Sequence, residues 1–223
     1  MLQFFRYDFL RGKRDEKMPT DKKLRDTLIQ NTIHLIAEGG FEKATTKAIT
    51  YCCGDVGDVK LNEVYIYRLF GSKAHLYEEA FELLDKEFVR GLRVSFGHIH
   101  HLENNPQEKL YMVFQEAWHF ALQNEENCRY YLRFYYSVYF QGDVIAKHNK
   151  LFQDIVAEFQ PLFKEGADAY SVMHCVLTLM LDFAVRVYNG ELADNDVNRP
   201  HIFNVLYSVM LIYFREDLQP DRI

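Results

Sequence analysis

Apolar residues recur every three to four positions along almost the whole of this chain, and the alternation expected of strands is nearly absent. That periodicity restricts the fold to packed helices, each burying one stripe. Residues 21–38 carry Leu24, Leu28, Ile29, Ile33 and Ile36 on one broad face and stop at Gly39-Gly40. Two short helices are expected next: 45–53, opened by a Thr-Thr pair, and 63–70, between Asn62 and Gly71. Ser72 opens a long helix to about residue 101, with Leu76, Ala80, Phe81, Leu84 and Phe88 as its inner stripe. Further helices are predicted over 107–123, 127–140, 144–164, 171–188 and 201–215, the third kinked or ended by Pro161. The chain is therefore expected to be all-α. Residues 1–20 form an arm or a mis-assigned start, 21–77 a three-helix head with a helix-turn-helix pattern, and 78–223 a helical body.

With 223 residues and 48% apolar content, the chain can bury a sizeable core. No stretch was expected to approach a membrane span, since 172–181 is interrupted by His174 and followed by Asp182. The aromatic start precedes its basic residues, the reverse of a secretory signal, so a cytoplasmic protein is expected. Four cysteines, two of them adjacent, form neither a disulfide framework nor a zinc pattern, and no cofactor is expected. The net charge of −6 is uneven. Residues 1–77 carry 13 basic and 10 acidic side chains, and the remainder carries 13 and 22. A mildly basic head on an acidic body suits a protein that touches a polyanion at one end.

A short helix pair alone says little, because any helical bundle contains one. More specific are the strings LIAEGGFEKATTKAI over 35–49 and LNEVYIYRLFGSKAHLY over 61–77. With Ile66, Tyr67, Arg68, Phe70, Ser72, Lys73 and Leu76 in place, this stretch resembles the N-terminal pattern of the TetR family of transcriptional regulators over about residues 21–82. The resemblance implies a helix-turn-helix DNA-binding head on a ligand-binding and dimerisation body. It also implies a repressor released from its operator by a small hydrophobic effector. The physics of the residues agrees. Gly40 permits a reversal that lets Phe41 plug the three-helix core. Thr45 and Thr46 offer hydroxyls and open amides to a phosphate, with Lys47 and Lys73 as cationic phosphate contacts. Asn62, Val64, Tyr65 and Tyr67 lie near the start of the second short helix, where major-groove readers meet base edges. Ile66 and Phe70 point inward.

Two departures from the family pattern stand out. Residues 54–60 lengthen the turn between the short helices by roughly six residues and include Asp55 and Asp58; they are read as a solvent loop rather than a metal loop. Leu69 stands where the family commonly has a histidine that touches DNA.

In the body, aromatic residues are dense. Tyr111, Phe114, Glu116, Trp118, His119, Arg133 and Phe134 are the candidate ligand site, and the expected ligand is a hydrophobic cation held by ring faces and a carboxylate. Arg129 and Arg133, four apart, would instead clamp an anion. Asp182 and Glu116 sit in apolar segments and each needs a partner, Arg186 and His119 being the nearest. His98, His100 and His101 are read as a solvated helix end, not a metal site. The segments 174–188 and 202–214 are too apolar for the surface of a monomer and are expected to pair two chains as a homodimer. No nucleophile elbow, phosphate-cradling loop or HExxH motif suggests an enzyme. The alternative is a helical dimeric interaction protein that keeps the head but not specific DNA binding.

Overall fold

The computed structural model describes residues 20–52, 56, 59–99 and 105–216. Among these, nine α-helices follow one another: α1 (Asp21–Gly39), α2 (Thr46–Tyr51), α3 (Glu63–Phe70), α4 (Lys73–Ile99), α5 (Pro106–Gln123), α6 (Glu125–Tyr135), α7 (Asp143–Phe159), α8 (Ala169–Tyr188) and α9 (Asn198–Leu211). The all-α expectation holds, and most helix starts follow from side-chain caps. Thr20 accepts from the Lys23 amide, Thr45 from Ala48, Asn62 from Val64, Ser72 from His75 and Asn105 from Glu108. Each satisfies an amide the helix itself cannot, for about 0.5–2 kcal/mol.

Several ends differ from the sequence pattern. Helix α2 stops at Tyr51 rather than 53. Helix α6 runs from 125 to 135, not 127 to 140. The Ser137 hydroxyl donates to the Phe134 carbonyl and accepts from the Tyr139 amide, a local competitor for the helical hydrogen bonds. Pro161 falls in a 3-10 turn, Gln160–Leu162, where its missing N–H does no harm. Helix α9 ends early because the following strand-like residues bond backwards, Lys164 N–H to Tyr213 O at 2.8 Å and Arg215 N–H to Leu162 O at 3.0 Å.

Head and body share one core. In the head, Leu28, Ile33, Ile36, Ile49, Ile66 and Phe70 are buried, and Asn31 of α1 donates to Ile49 O at 2.6 Å, tying α1 to α2. The extended turn is not simply a solvent loop. Val56 and Leu61 are buried, and Val56 and Val59 exchange both backbone hydrogen bonds. Its two aspartates lie outside the described residues.

Gly40 does adopt a positive φ of 77°, but Phe41 does more than plug the head. Its ring lies 5.3 Å from Tyr77 of α4, 6.5 Å from Phe134 of α6 and 5.0 Å from Tyr139, so it wedges the head onto the body. Around it, the fully buried Tyr77 donates its hydroxyl to Ala44 O at 2.7 Å, and Tyr130 of α6 donates to Tyr77 O at 2.6 Å. Arg133 donates to Ile36 O at 2.9 Å, capping the end of α1.

Asp182 is exposed, which corrects the expectation that it is buried and needs Arg186; Arg186 faces Glu191 instead, at 3.7 Å. Helix α8 is long and apolar enough, by length and composition, to cross a membrane, contrary to the sequence expectation. Here it packs against α5, α6, α7 and α9 as a helix of the bundle.

Candidate nucleic-acid interface and ligand site

Helices α1 to α3 hold one face of α3 outward. Ile66 and Phe70 bury the other face, while Val64 is 70% exposed and Tyr67 54% exposed. Of the residues expected at DNA, Thr45, Lys47, Asn62, Val64 and Tyr67 are exposed. Thr46 is half-buried and its hydroxyl donates to Glu63 across the turn at 2.5 Å. Tyr65 is half-buried, packed on the core, with the Arg68 guanidinium 4.8 Å from its ring centre. Lys73 is half-buried at the head of α4, its ammonium 5.7 Å from the centre of the Tyr77 ring. Leu69, where the family pattern commonly has a histidine, packs on the core, and its carbonyl accepts from Arg25, which also pairs with Glu79 and lies 4.5 Å from the Phe70 ring centre.

The expected ligand residues fall into two groups. Phe114, Trp118 and His119 line a cleft of about 170 Å3 together with Gln115, Leu122, Asp194 and Arg199. Tyr111 stacks behind them on Phe114, 6.1 Å away, and meets Phe203 of α9 edge-on at 4.9 Å. The Trp118 indole N–H donates to Asp194 at 3.0 Å, and Arg199 grips the same carboxylate with two bonds of 2.6 and 2.8 Å. The Arg199 hydrogen bond holds the Asp194 carboxyl below its ordinary range, with the indole helping. Glu116 is half-buried rather than enclosed.

Arg133 and Phe134 do not line this cleft. Phe134 is fully buried and stacks on Phe81 at 4.5 Å, and Arg133 caps α1, so both belong to the head–body joint. Arg129 is engaged by Glu125 at 2.7 Å and Asn189 at 2.8 Å, so the two arginines form no common clamp. A larger cleft of about 550 Å3 along α1 and α4 is lined by Ile29, Leu83 and charges that pair with one another, among them Arg25–Glu79 and Lys147–Glu82.

Sequence reasoning missed a buried polar centre. Asp85 of α4, 1% exposed, accepts from the Tyr131 hydroxyl at 3.1 Å and lies 3.0 Å from Nδ1 of His148 on α7, which is 2% exposed. Burial, with the Asp85 charge behind it, pushes the Tyr131 hydroxyl well above its ordinary pKa. His174 of α8, 6.4 Å from the His148 ring, is pushed down by burial and then by His148. A period-3.6 reading places Asp85, at the fourth position after Phe81, on the inner stripe of α4, and that was the available signal.

Among the described residues no cluster of His, Cys, Asp and Glu suits a metal ion. The histidine tract cannot be placed, since His100, His101 and the side chain of His98 lie outside the description.

The arrangement is a three-helix head with a helix-turn-helix, continuous with a six-helix body, and it is the fold seen in TetR-family transcription regulators. A TetR family transcription regulator from Marinobacter aquaeolei VT8 superposes with a TM-score of 0.67 at 15% identity, covering 85% of this chain and 96% of that one. A putative TetR family regulator from Shewanella sp. PV-4 gives 0.66 at 14% identity over 85% and 97%. The fatty acid degradation regulator FadR from Bacillus halodurans gives 0.54 at 13% identity over 91% and 98%. The sequence matches no family model, and no curated protein matches it.

Proposed function

We propose that this protein is a ligand-responsive transcriptional repressor of the TetR type and not an enzyme. It acts in the cytoplasm as a homodimer on a pseudo-palindromic operator in double-stranded DNA, and a small hydrophobic effector releases it. The observation that carries the reading is the outward face of α3, where Val64 and Tyr67 stand in solvent on a helix whose other face anchors the head. Such apolar exposure does nothing for the isolated fold and fits insertion into a major groove. Thr45, Lys47, Asn62, Tyr65 and Lys73 surround it as phosphate and groove contacts, and Thr46, whose hydroxyl is engaged by Glu63, offers its backbone amide beside them.

Pairing goes through α8 and α9, whose outer faces carry Leu179, Phe183, Val205 and the 68% exposed Ile212. The effector enters beside Tyr111, Phe114, Glu116, Trp118 and His119. A cleft of about 170 Å3 is below the roughly 300–1,000 Å3 of ordinary ligand sites, so α5 and the 189–197 turn must part to admit it. That movement reaches the head through α4 and α6, which hold Ala44 and Ile36 by hydrogen bonds. The effector shifts the population because it binds the opened, DNA-incompetent form more tightly.

Gel retardation of random duplex DNA at low salt, alongside sedimentation velocity without DNA, tests this. A dimer that retards duplex DNA is expected. A dimer that leaves DNA free is an interaction protein that keeps only the head, and a monomer at micromolar concentration removes the operator geometry altogether.

A further inference from the structure

The DNA-binding reading leaves open which bases the head reads, and the chemistry of α3 narrows them. In the major groove, arginine or lysine reads the paired acceptors of guanine, and asparagine or glutamine reads adenine. A carboxylate accepts from the cytosine amino group, and an apolar side chain meets the thymine methyl. Helix α3 has one basic residue, Arg68, and it is committed elsewhere: it donates to Asp21 at the start of α1 at 2.7 Å and lies over Tyr65. Asn62 spends its side-chain oxygen on the Val64 amide at 3.0 Å. The exposed first turn therefore offers Glu63 and Val64, with Tyr67 one turn on.

Glu63 is not free to swing. The Thr46 hydroxyl of α2 donates to one of its oxygens at 2.5 Å, fixing the carboxylate across the helix-turn-helix. A carboxylate retains further lone pairs to accept another donor. On a surface meant for a polyanion it raises the electrostatic cost of every phosphate nearby, so it is a poor phosphate contact and is useful only opposite a base amino group. Adenine also carries an amino group there, but its neighbouring N7 acceptor repels a carboxylate, whereas cytosine has no acceptor beside its amino group. Val64, 70% exposed, can present only methyl groups.

We infer that Glu63 and Val64 set operator choice: Glu63 accepts from the amino group of a cytosine, and Val64 packs on the methyl of an adjacent thymine. Each half-site is then read as neighbouring pyrimidines on one strand, with Thr46 as the residue that positions Glu63. The inference rests on the proposed DNA-binding function. Its bland competitor is that Glu63 merely supplies a favourable charge at a helix start.

Selection from a random duplex library with the full-length protein, its E63Q variant and its V64A variant separates these. Wild type should enrich palindromic sites with an adjacent cytosine and thymine in each half, the cytosine favoured by roughly tenfold or more. E63Q should move that one column from cytosine to adenine, because an amide carries both donor and acceptor. V64A should cut the thymine preference by about fourfold, the worth of one buried methylene-sized contact. If wild type enriches sequences whose columns survive both substitutions, or reads guanine there, the inference is wrong and DNA binding stands. A change in the melting temperature of E63Q with an unchanged cytosine column leaves Glu63 as a helix-start charge only, which also overturns it. If wild type enriches nothing and retards no duplex at low salt, the repressor reading falls with it.

Discussion

Replacing Asp85 by alanine should cost this protein more than any other single deletion of a charge. Asp85 is 1% exposed and accepts hydrogen bonds from two buried groups, the Tyr131 hydroxyl at 3.1 Å and the His148 ring at 3.0 Å. Removing the acceptor leaves both donors in a low-dielectric interior. An orphaned buried hydroxyl costs about 1–3 kcal/mol, and a second donor orphaned on the His148 ring costs about the same. The two losses share one relaxation of the site, so about 2–5 kcal/mol is the expected loss for Asp85→Ala. That is a large part of the roughly 5–15 kcal/mol that holds a domain together. The same reasoning predicts recovery when the whole polar centre is made apolar. Asp85→Leu combined with Tyr131→Phe and His148→Phe removes every donor and acceptor at once, and such replacements are often neutral or stabilising. Urea unfolding at one fixed protein concentration reads both, with concentration held because the proposed pairing of chains would couple folding to association. A loss below about 1 kcal/mol for Asp85→Ala, or a triple variant no better than the single one, would refute the claim that these groups satisfy one another.

Three further outcomes are expected. Tyr77→Phe orphans the Ala44 carbonyl and should lower stability by about 1–3 kcal/mol, and in urea unfolding its effect should be non-additive with Tyr130→Phe, because Tyr130 donates to the backbone of Tyr77. The hydrogen bond to Glu126, 2.8 Å away, raises the pKa of His34 against the opposing effect of burial. His34 therefore stabilises the folded state fully below its unfolded value of 6.5, and loses that contribution as pH rises through the folded value. The melting-temperature gap between wild type and His34→Gln should accordingly close on going from pH 6 to pH 8, and a gap constant with pH would contradict it. Lys47→Ala should weaken binding to all duplexes alike and lower the slope of log K against log salt by about one; an unchanged slope removes Lys47 from the phosphate contacts.

The helices were legible in the sequence because capping and periodicity are local. Thr45, Asn62 and Ser72 all cap the helices whose starts they mark. The exit of α6 was not legible, since Ser137 competes with helix continuation through two bonds whose geometry only the fold fixes. The resemblance over 21–82 led to the right fold, but it could not show Phe41 reaching past the head to Phe134 and Tyr139. The aromatic count drew attention to α5, where Phe114 and Trp118 line a cleft. It could not separate them from Phe134, because all three are buried aromatic residues and only the elements packed around each one distinguish a cleft wall from a joint. The Asp85–His148 contact joins residues 63 apart in the chain, and no spacing rule reaches that far.

The position of Tyr77 bears on how proteins of this shape can be recombined. Residue 77 is where a sequence-based cut between head and body falls, yet its hydroxyl serves the turn before α2 and its carbonyl serves α6. Two modules joined by a linker can be exchanged by splicing at the linker; these share a keystone. A chimaera that grafts residues 21–77 onto another body would inherit Phe41, Ile36 and Tyr77 without the Phe134, Arg133 and Tyr130 that meet them. Transplanting the head intact thus requires carrying the inner face of α6 as well, where Tyr130 lies 53 residues beyond Tyr77.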